Sequence, residues 1–225
     1  SLEEVVVRGT RIEQPQAVGA YSIDGASLAR MRASSSDTAK MLQNVPGVHA
    51  YGAGGVSSLP TVHGLADDRL RIKVDGMDLI ASCPNHMNPA LSYLDPAQIG
   101  TLQVYAGIAP VSVGGDSIGA TIVAETAVPL FAGPGQQSLL RGEAGAFYRS
   151  NGNARTANLA ATWASSNVSL NYTGATSQSD NYEAGEAFKT TRETGRPGHT
   201  LDLDEVGSSA WETRNHTLGL AVRNE

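Results

Sequence analysis

Beyond residue 135 the sequence carries no helix signal, and this constrains the fold more than any other feature. The chain there consists of alternating runs of similar length, at 138–148, 156–164, 168–176 and 210–222, with small residues set between polar ones, as in Asn158-Leu159-Ala160-Ala161-Thr162-Trp163. Period-2 alternation puts successive side chains on opposite faces of a strand. Tight turns at Ser150-Asn151-Gly152-Asn153 and Ser165-Ser166-Asn167 join neighbours, whereas 179–209 is a long polar loop. Short turns on one side and a long loop on the other form the pattern of a transmembrane β-barrel hairpin series. Four strands do not close a barrel, since the smallest membrane barrels need about eight. An open edge cannot lie in lipid, because its backbone groups would be unpaired. The expectation is therefore twofold: either the chain is a piece of something longer, or these strands are soluble.

The texture changes at Pro129-Leu130-Phe131-Ala132-Gly133-Pro134-Gly135, which places a domain boundary near residue 130. Ahead of it, helix and strand signals mix. Glu3-Glu4-Val5-Val6-Val7-Arg8-Gly9-Thr10-Arg11 reads as a first strand or as an extended segment able to add to another protein's sheet edge. Asp24 or Ser27 is placed to cap one helix, and Ser36 or Asp37 a second over 38–45 that Pro46-Gly47 ends. Residues 48–60 are dense in glycine and read as loop. Strands are expected at 61–63, at 69–75 with Leu70, Ile72 and Val74 on one face, at 102–105 and at 120–126. Asp75-Gly76 makes a turn, and Asp95-Pro96 opens a short helix with proline at its first position.

Composition removes several classes of function. Lys and Arg total 16 against 22 Asp and Glu, with no basic run, so nucleic acid is not an expected partner. No apolar stretch reaches the roughly 18 to 20 residues of a spanning helix. The serines lack a paired His and Asp in a recognisable motif, and the carboxylates are scattered, so no catalytic constellation is formed and no enzyme is expected. The glycine-rich turns at 52–55 and 114–115 lack the Lys and Ser/Thr of a phosphate-binding loop.

One segment concentrates metal chemistry. Cys83-Pro84-Asn85-His86-Met87-Asn88-Pro89 holds the single cysteine of the chain, an imidazole three residues on and a thioether four residues on. Pro84 suits the start of a helical turn and Pro89 stops it; within such a turn residues three and four apart share a face. Cys83, His86 and Met87 are thereby aimed at one point. Thiolate and thioether suit Cu(I), and imidazole suits copper in either oxidation state. His49 and His63 read as structural; His199 and His216 read as solvated, though one of them is a candidate for a further ligand.

The N-terminal part resembles the plug domain of TonB-dependent outer-membrane receptors across nearly all of residues 1–126. Leu42-Gln43-Asn44-Val45-Pro46-Gly47-Val48 is similar to the family's "L-x-x-x-P-G-V", and Val62-His63-Gly64 with Arg71-Ile72-Lys73-Val74-Asp75-Gly76 to its "I-R-G" strand and "V-x-V-D-G" turn. The stretch 94–107 resembles "l-D-P-x-x-I-e-r-I-E-V-l-r-G-P", and 114–122 the closing glycine-rich strand. His63 stands where arginine is usual and Gln103 where glutamate is usual, so altered pairing between plug and wall is expected. Within the family, the 83–89 segment looks most like the copper receptors, and that resemblance implies Cys83 and Met87 as ligands on an outward-facing plug loop; His86 is eligible by geometry alone.

The resulting expectation is an α+β plug domain over 1–130, followed over 131–225 by antiparallel transmembrane β-barrel strands, with the barrel incomplete in this chain and about 22 strands in all by family analogy. The resemblance further implies a bacterial outer-membrane receptor for copper, with Cu(I) favoured and Cu(II) possible, in contact with outer-membrane lipid and with TonB through residues 2–7. The competing expectations are a receptor of the same architecture for a siderophore or other metal chelate, and a soluble periplasmic copper-binding protein.

Overall fold

The computed structural model describes residues 19–52, 54–80, 88–114 and 117–224. The expected strand at 3–11 and the residues Cys83, His86 and Met87 lie outside the described residues.

The N-terminal unit is built on a mixed sheet. Strand β1 (Ala20–Asp24) leads into helix α1 (Gly25–Met31), whose start is fixed by Asp24: its carboxylate accepts from Ser27 N at 2.7 Å. The helix inserts Leu28 into the core and stops after two turns. Strands β2 (Val48–Tyr51) and β3 (Leu59–Val62) form a separate two-stranded ribbon, and after β3 a tight turn at His63 and Gly64, both at positive φ, brings Leu65 back to bond Val62. Strand β4 (Leu70–Val74) turns at Asp75-Gly76 into the two-residue β5 (Met77–Asp78), and β6 (Ile99–Tyr105) and β7 (Ala120–Thr126) complete the sheet in the order β1-β6-β7-β4-β5. Among the described strands only β4 and β7 run parallel.

Each expected period is visible in the burial. On β4, Leu70, Ile72 and Val74 are buried and Arg71 and Lys73 are not. Strand β7, central and covered, is buried continuously from Ala120 to Ala124. With Leu28, Met41, Leu42, Leu91, Leu102 and Val104, the β4 residues Leu70, Ile72 and Val74 and the β7 residues Ala120, Ile122 and Ala124 make one contiguous core.

Two local expectations are corrected. The helix over 38–45 is a single 3₁₀ piece, Ala39–Leu42, because the flanking groups are bonded elsewhere: Thr38 Oγ1 donates to Leu94 O at 2.6 Å and Asp37 holds Ala39 N and Ser58 N, each at 3.0 Å. Residues 48–60 are not loop throughout, since they contain β2 and most of β3; glycine density hid an edge that cross-strand pairing orders.

The second sheet is antiparallel throughout: β8 (Leu139–Arg149), β9 (Ala154–Ala164), β10 (Val168–Ser179) and β11 (Trp211–Val222), in that spatial order. At 11 or 12 residues each, the strands reach the length that crosses a bilayer when tilted. Register places Leu140, Trp163, Leu170 and Leu220 in one row, and Leu218 beside Tyr172, on the face turned away from the first unit. The opposite face is polar and packs on that unit.

Candidate functional site

The 81–87 segment is rooted at both ends in well-packed structure. On its N-terminal side, Leu79 N donates to Ile72 O at 2.8 Å, extending the β4–β5 hairpin beyond Asp78. That hairpin is locked by a two-pronged pair in which Arg71 Nε and Nη2 donate to the two carboxylate oxygens of Asp78 at 2.6 and 2.8 Å. The Arg71 hydrogen bond holds the Asp78 carboxyl below its ordinary range. On the C-terminal side, buried Pro89 precedes a 3₁₀ turn, Ala90–Tyr93, and its carbonyl accepts from both Ser92 N and Ser92 Oγ. Ala90 and Leu91 pin this turn into the core.

Between the two roots lies a cleft of about 400 Å³, lined among others by Asp67, Asp68, Arg71, Asp78, Pro89 and Ser117. Sequence alternation puts Arg71 on the polar face of β4. Its pairing with Asp78 follows from the two-residue turn, which sets Lys73 opposite Asp78 and so makes Arg71 its diagonal neighbour. The acidic rim at Asp67 and Asp68 has no signature in the sequence, because it depends on a turn in which Asp67 adopts φ 58.

Position along the sheet follows from register. Asp75 Oδ1 accepts from Thr126 N at 2.8 Å, so the Asp75-Gly76 turn sits at the Thr126 end. Ile80 consequently emerges toward the opposite end, where Gly119 N bonds Arg69 O. The chain leaves Thr126 for the second sheet, and Ala132 N donates to Ser165 O beside the tight 165–167 turn. The long 180–210 loop occupies the other end of that sheet, where the indole of Trp211 lies against Gly55 of the first unit.

Among the described residues, the histidines do not converge on the cleft. His216 shares the apolar outward face: its Nδ1 bonds Tyr172 Oη at 2.8 Å, while its neighbour Thr217 faces inward and accepts from Gln98 Nε2. His199 Nδ1 bonds Thr194 Oγ1 within the long loop. His63 lies over Gly47, and His49 is exposed on β2. Among the described residues no group of three His, Cys, Asp or Glu side chains forms a metal cage.

The two units are joined by a polar seam. Arg32, only 13% exposed, donates from Nη1 to Glu143 Oε1 at 2.9 Å and from Nε to Pro96 O. Gln98 reaches Thr217, and Ser36 meets Thr156 and Ser177. Asp95 caps the 3₁₀ turn Pro96–Gln98 by accepting from Ala97 N at 2.8 Å, and burial pushes its carboxyl above the ordinary range. Gln103 Oε1 accepts from Tyr105 Oη within its own strand, and among the described residues the charge pair between plug and wall is that of Arg32 with Glu143.

Known proteins share this architecture. The family model "TonB-dependent Receptor Plug Domain" matches residues 7–121. No curated protein sequence matches the chain. Among solved structures, the chain is similar to "Copper transporter OprC" at 24% identity and a TM-score of 0.73, covering 92% of this chain and 28% of that one. It is also similar to the FrpB iron transporter from Neisseria meningitidis (20% identity, TM-score 0.70, 91% and 29%) and to the siderophore receptor PirA from Pseudomonas aeruginosa (20%, 0.52, 74% and 30%). At these identities the likeness concerns the fold, and the chain spans less than a third of each structure's length. The family match over half of the chain, together with a plug sheet followed by antiparallel strands, shows that this protein belongs to the TonB-dependent receptor plug domain family and resides in the bacterial outer membrane.

Proposed function

We propose that the chain forms the plug, residues 1–130, and the first wall strands, residues 131–225, of a TonB-dependent receptor that binds and imports copper. Cys83 and Met87 are the ligands in this reading and His86 the eligible third. The observation that carries it is the joining of two soft donors, in one short segment of the sequence, to a pair of roots fixed by the Arg71–Asp78 pair and by Pro89, at the end of the plug sheet away from Thr126. Such a donor set excludes Mg²⁺ and Ca²⁺ and favours Cu(I), with Cu(II) accommodated through imidazole. Residues 2–7 are the segment through which TonB pulls on the plug. Resemblance in fold to a copper transporter supports the reading.

Copper stoichiometry of the purified receptor, measured by metal analysis, tests it. Cys83→Ala and Met87→Ala are each expected to lose most of the bound copper; unchanged stoichiometry in both refutes the assignment. A second reading, import of a metal chelate, is supported by the likeness in fold to an iron transporter and a siderophore receptor. Titration with copper against a ferric chelate separates the two. The soluble periplasmic reading is set aside by the outer-membrane location. No catalytic role is assigned.

A further inference from the structure

The outward face of the wall is apolar at one end and charged at the other. Register carries that face from the row of Leu140, Trp163, Leu170 and Leu220 to a row of Tyr148, Arg155, Gln178 and Glu212. Between them β9 presents Ala157, Leu159 and Ala161, all exposed. From Trp163 to Arg155 the strand rises about 27 Å, or about 20 Å along the membrane normal at the usual tilt, close to the height of a barrel's apolar band. Trp163 stands beside the short 165–167 turn, whereas Gln178, the partner of Arg155, stands where β10 enters the long 180–210 loop. Arg155 therefore lies at the outer boundary of the apolar band, where headgroups meet hydrocarbon.

Arginine keeps its charge at any ordinary pH. The Arg155 side chain is exposed and makes no hydrogen bond or ion pair among the described residues. Its neighbours do not neutralise it. On β11 Arg214 Nη2 lies 2.5 Å from Glu212 Oε1, so those two charges satisfy each other, and the hydroxyl of Tyr148 is turned to Asn153 Oδ1 at 3.0 Å. Gln178, directly opposite on β10, adds a side-chain amide donor. A planar fork of N–H donors thus tops a track of mostly small apolar side chains running down β9, and the two suit the two halves of a phosphate-bearing lipid.

We propose that Arg155 holds the phosphate of an anionic lipid in the outer leaflet, with Gln178 as a second donor and an acyl chain lying along β9. A free phosphate ion would meet the guanidinium but make no use of the apolar track. Packing a second copy of the chain on this face would bury an unpaired cation, which is costly. The proposal rests on the wall's place in the membrane and not on the copper assignment, so either can fail without the other.

The test is native mass spectrometry of the full receptor released from phosphatidylcholine nanodiscs holding a graded fraction of phosphatidic acid, the probe for a lipid phosphate. The native protein is expected to retain phosphatidic acid in preference to phosphatidylcholine. Arg155→Gln should need about tenfold more of it for the same occupancy. Arg196→Gln, which removes an equal charge from the long loop, should leave the occupancy as it was. Equal retention by the native protein and Arg155→Gln, or an equal loss in Arg196→Gln, overturns the proposal. Sodium phosphate in about tenfold excess over phosphatidic acid should leave the lipid bound; its displacement shows a free-ion site and overturns the lipid assignment. Should Arg155→Gln fail to insert, the native receptor is photolabelled with phosphatidic acid carrying a diazirine next to the headgroup. Label concentrated at 153–157 and 176–178 supports the site, and label spread evenly around the outer rim overturns it.

Discussion

Asp37 joins two parts of the plug that sequence separates by 21 residues. Its Oδ1 accepts from Ala39 N and its Oδ2 from Ser58 N, both at 3.0 Å, and Asp37, Ala39 and Ser58 are all at least 98% buried. One carboxylate thus anchors the β2–β3 ribbon to the 3₁₀ turn beside it. Asp37→Ala strands two buried amide donors at about 1–3 kcal/mol each, or about 2–6 kcal/mol together. Asp37→Asn keeps one acceptor and sets an amide N–H against the other donor, so only one bond is lost, at about 1–3 kcal/mol. With tenfold in population for about 1.4 kcal/mol, amide exchange across 48–62 should accelerate by roughly one to two decades in Asp37→Asn and roughly one and a half to four in Asp37→Ala. Exchange in β6 and β7 should be unaffected, since their ladder does not involve Asp37. Hydrogen exchange read by mass spectrometry resolves both regions. If the two variants coincide, or if β6 and β7 accelerate in step with the ribbon, the two-anchor account is wrong.

Two further perturbations probe the seam. Because burial raises the folded-state pKa of Asp95, the folded protein takes up its proton at a higher pH than the unfolded chain, so Asp95 subtracts from stability at neutral pH and this loss is relieved as pH falls toward 3.8. Asp95→Asn keeps the acceptor for Ala97 N without the charge; it should melt at or above the native protein at pH 7, with the difference closing as pH approaches 4, and a variant that melts clearly lower at pH 7 contradicts this. At Gly55 an added Cβ would overlap the Trp211 indole, so Gly55→Ala should displace that ring and change its fluorescence, whereas Gly185→Ala, with nothing near its Cβ and no positive φ, should leave the Trp211 signal as it was.

Local chemistry makes much of this fold legible from the residues alone. Alternation gives β4 its buried face, and the Asp95-Pro96 pair announces a turn that forms with its full capping box. The four wall strands agree with the alternating runs to within about three residues at each end. The features without a local signature depend on distant partners. The 38–45 segment has ordinary helical composition, but bonds from Asp37 to Ser58 and from Thr38 to Leu94 shorten it to one turn. Arg32 meets Glu143 across 111 residues, and no pattern in either neighbourhood predicts that pair, because it depends on how the wall is registered against the plug. For the metal segment, the donors are legible as residue types; the Arg71–Asp78 lock and the acidic rim at its root exist only with the hairpin in place.

The central place of β7 has a consequence for the order in which the molecule assembles. Strand β7 is the last of the plug strands along the chain, yet it lies between β6 and β4 and supplies the sheet's parallel pairing. Before residues 120–126 arrive, β4 and β6 have no common neighbour, and joining them requires closing loops of tens of residues, which makes such contacts slow to form. The strand that completes the plug is also the one from which the chain departs for the wall at Leu139. Nucleation of the plug and the start of the wall are thus kinetically coupled, and substitutions that weaken Ile122 or Ala124 should delay both.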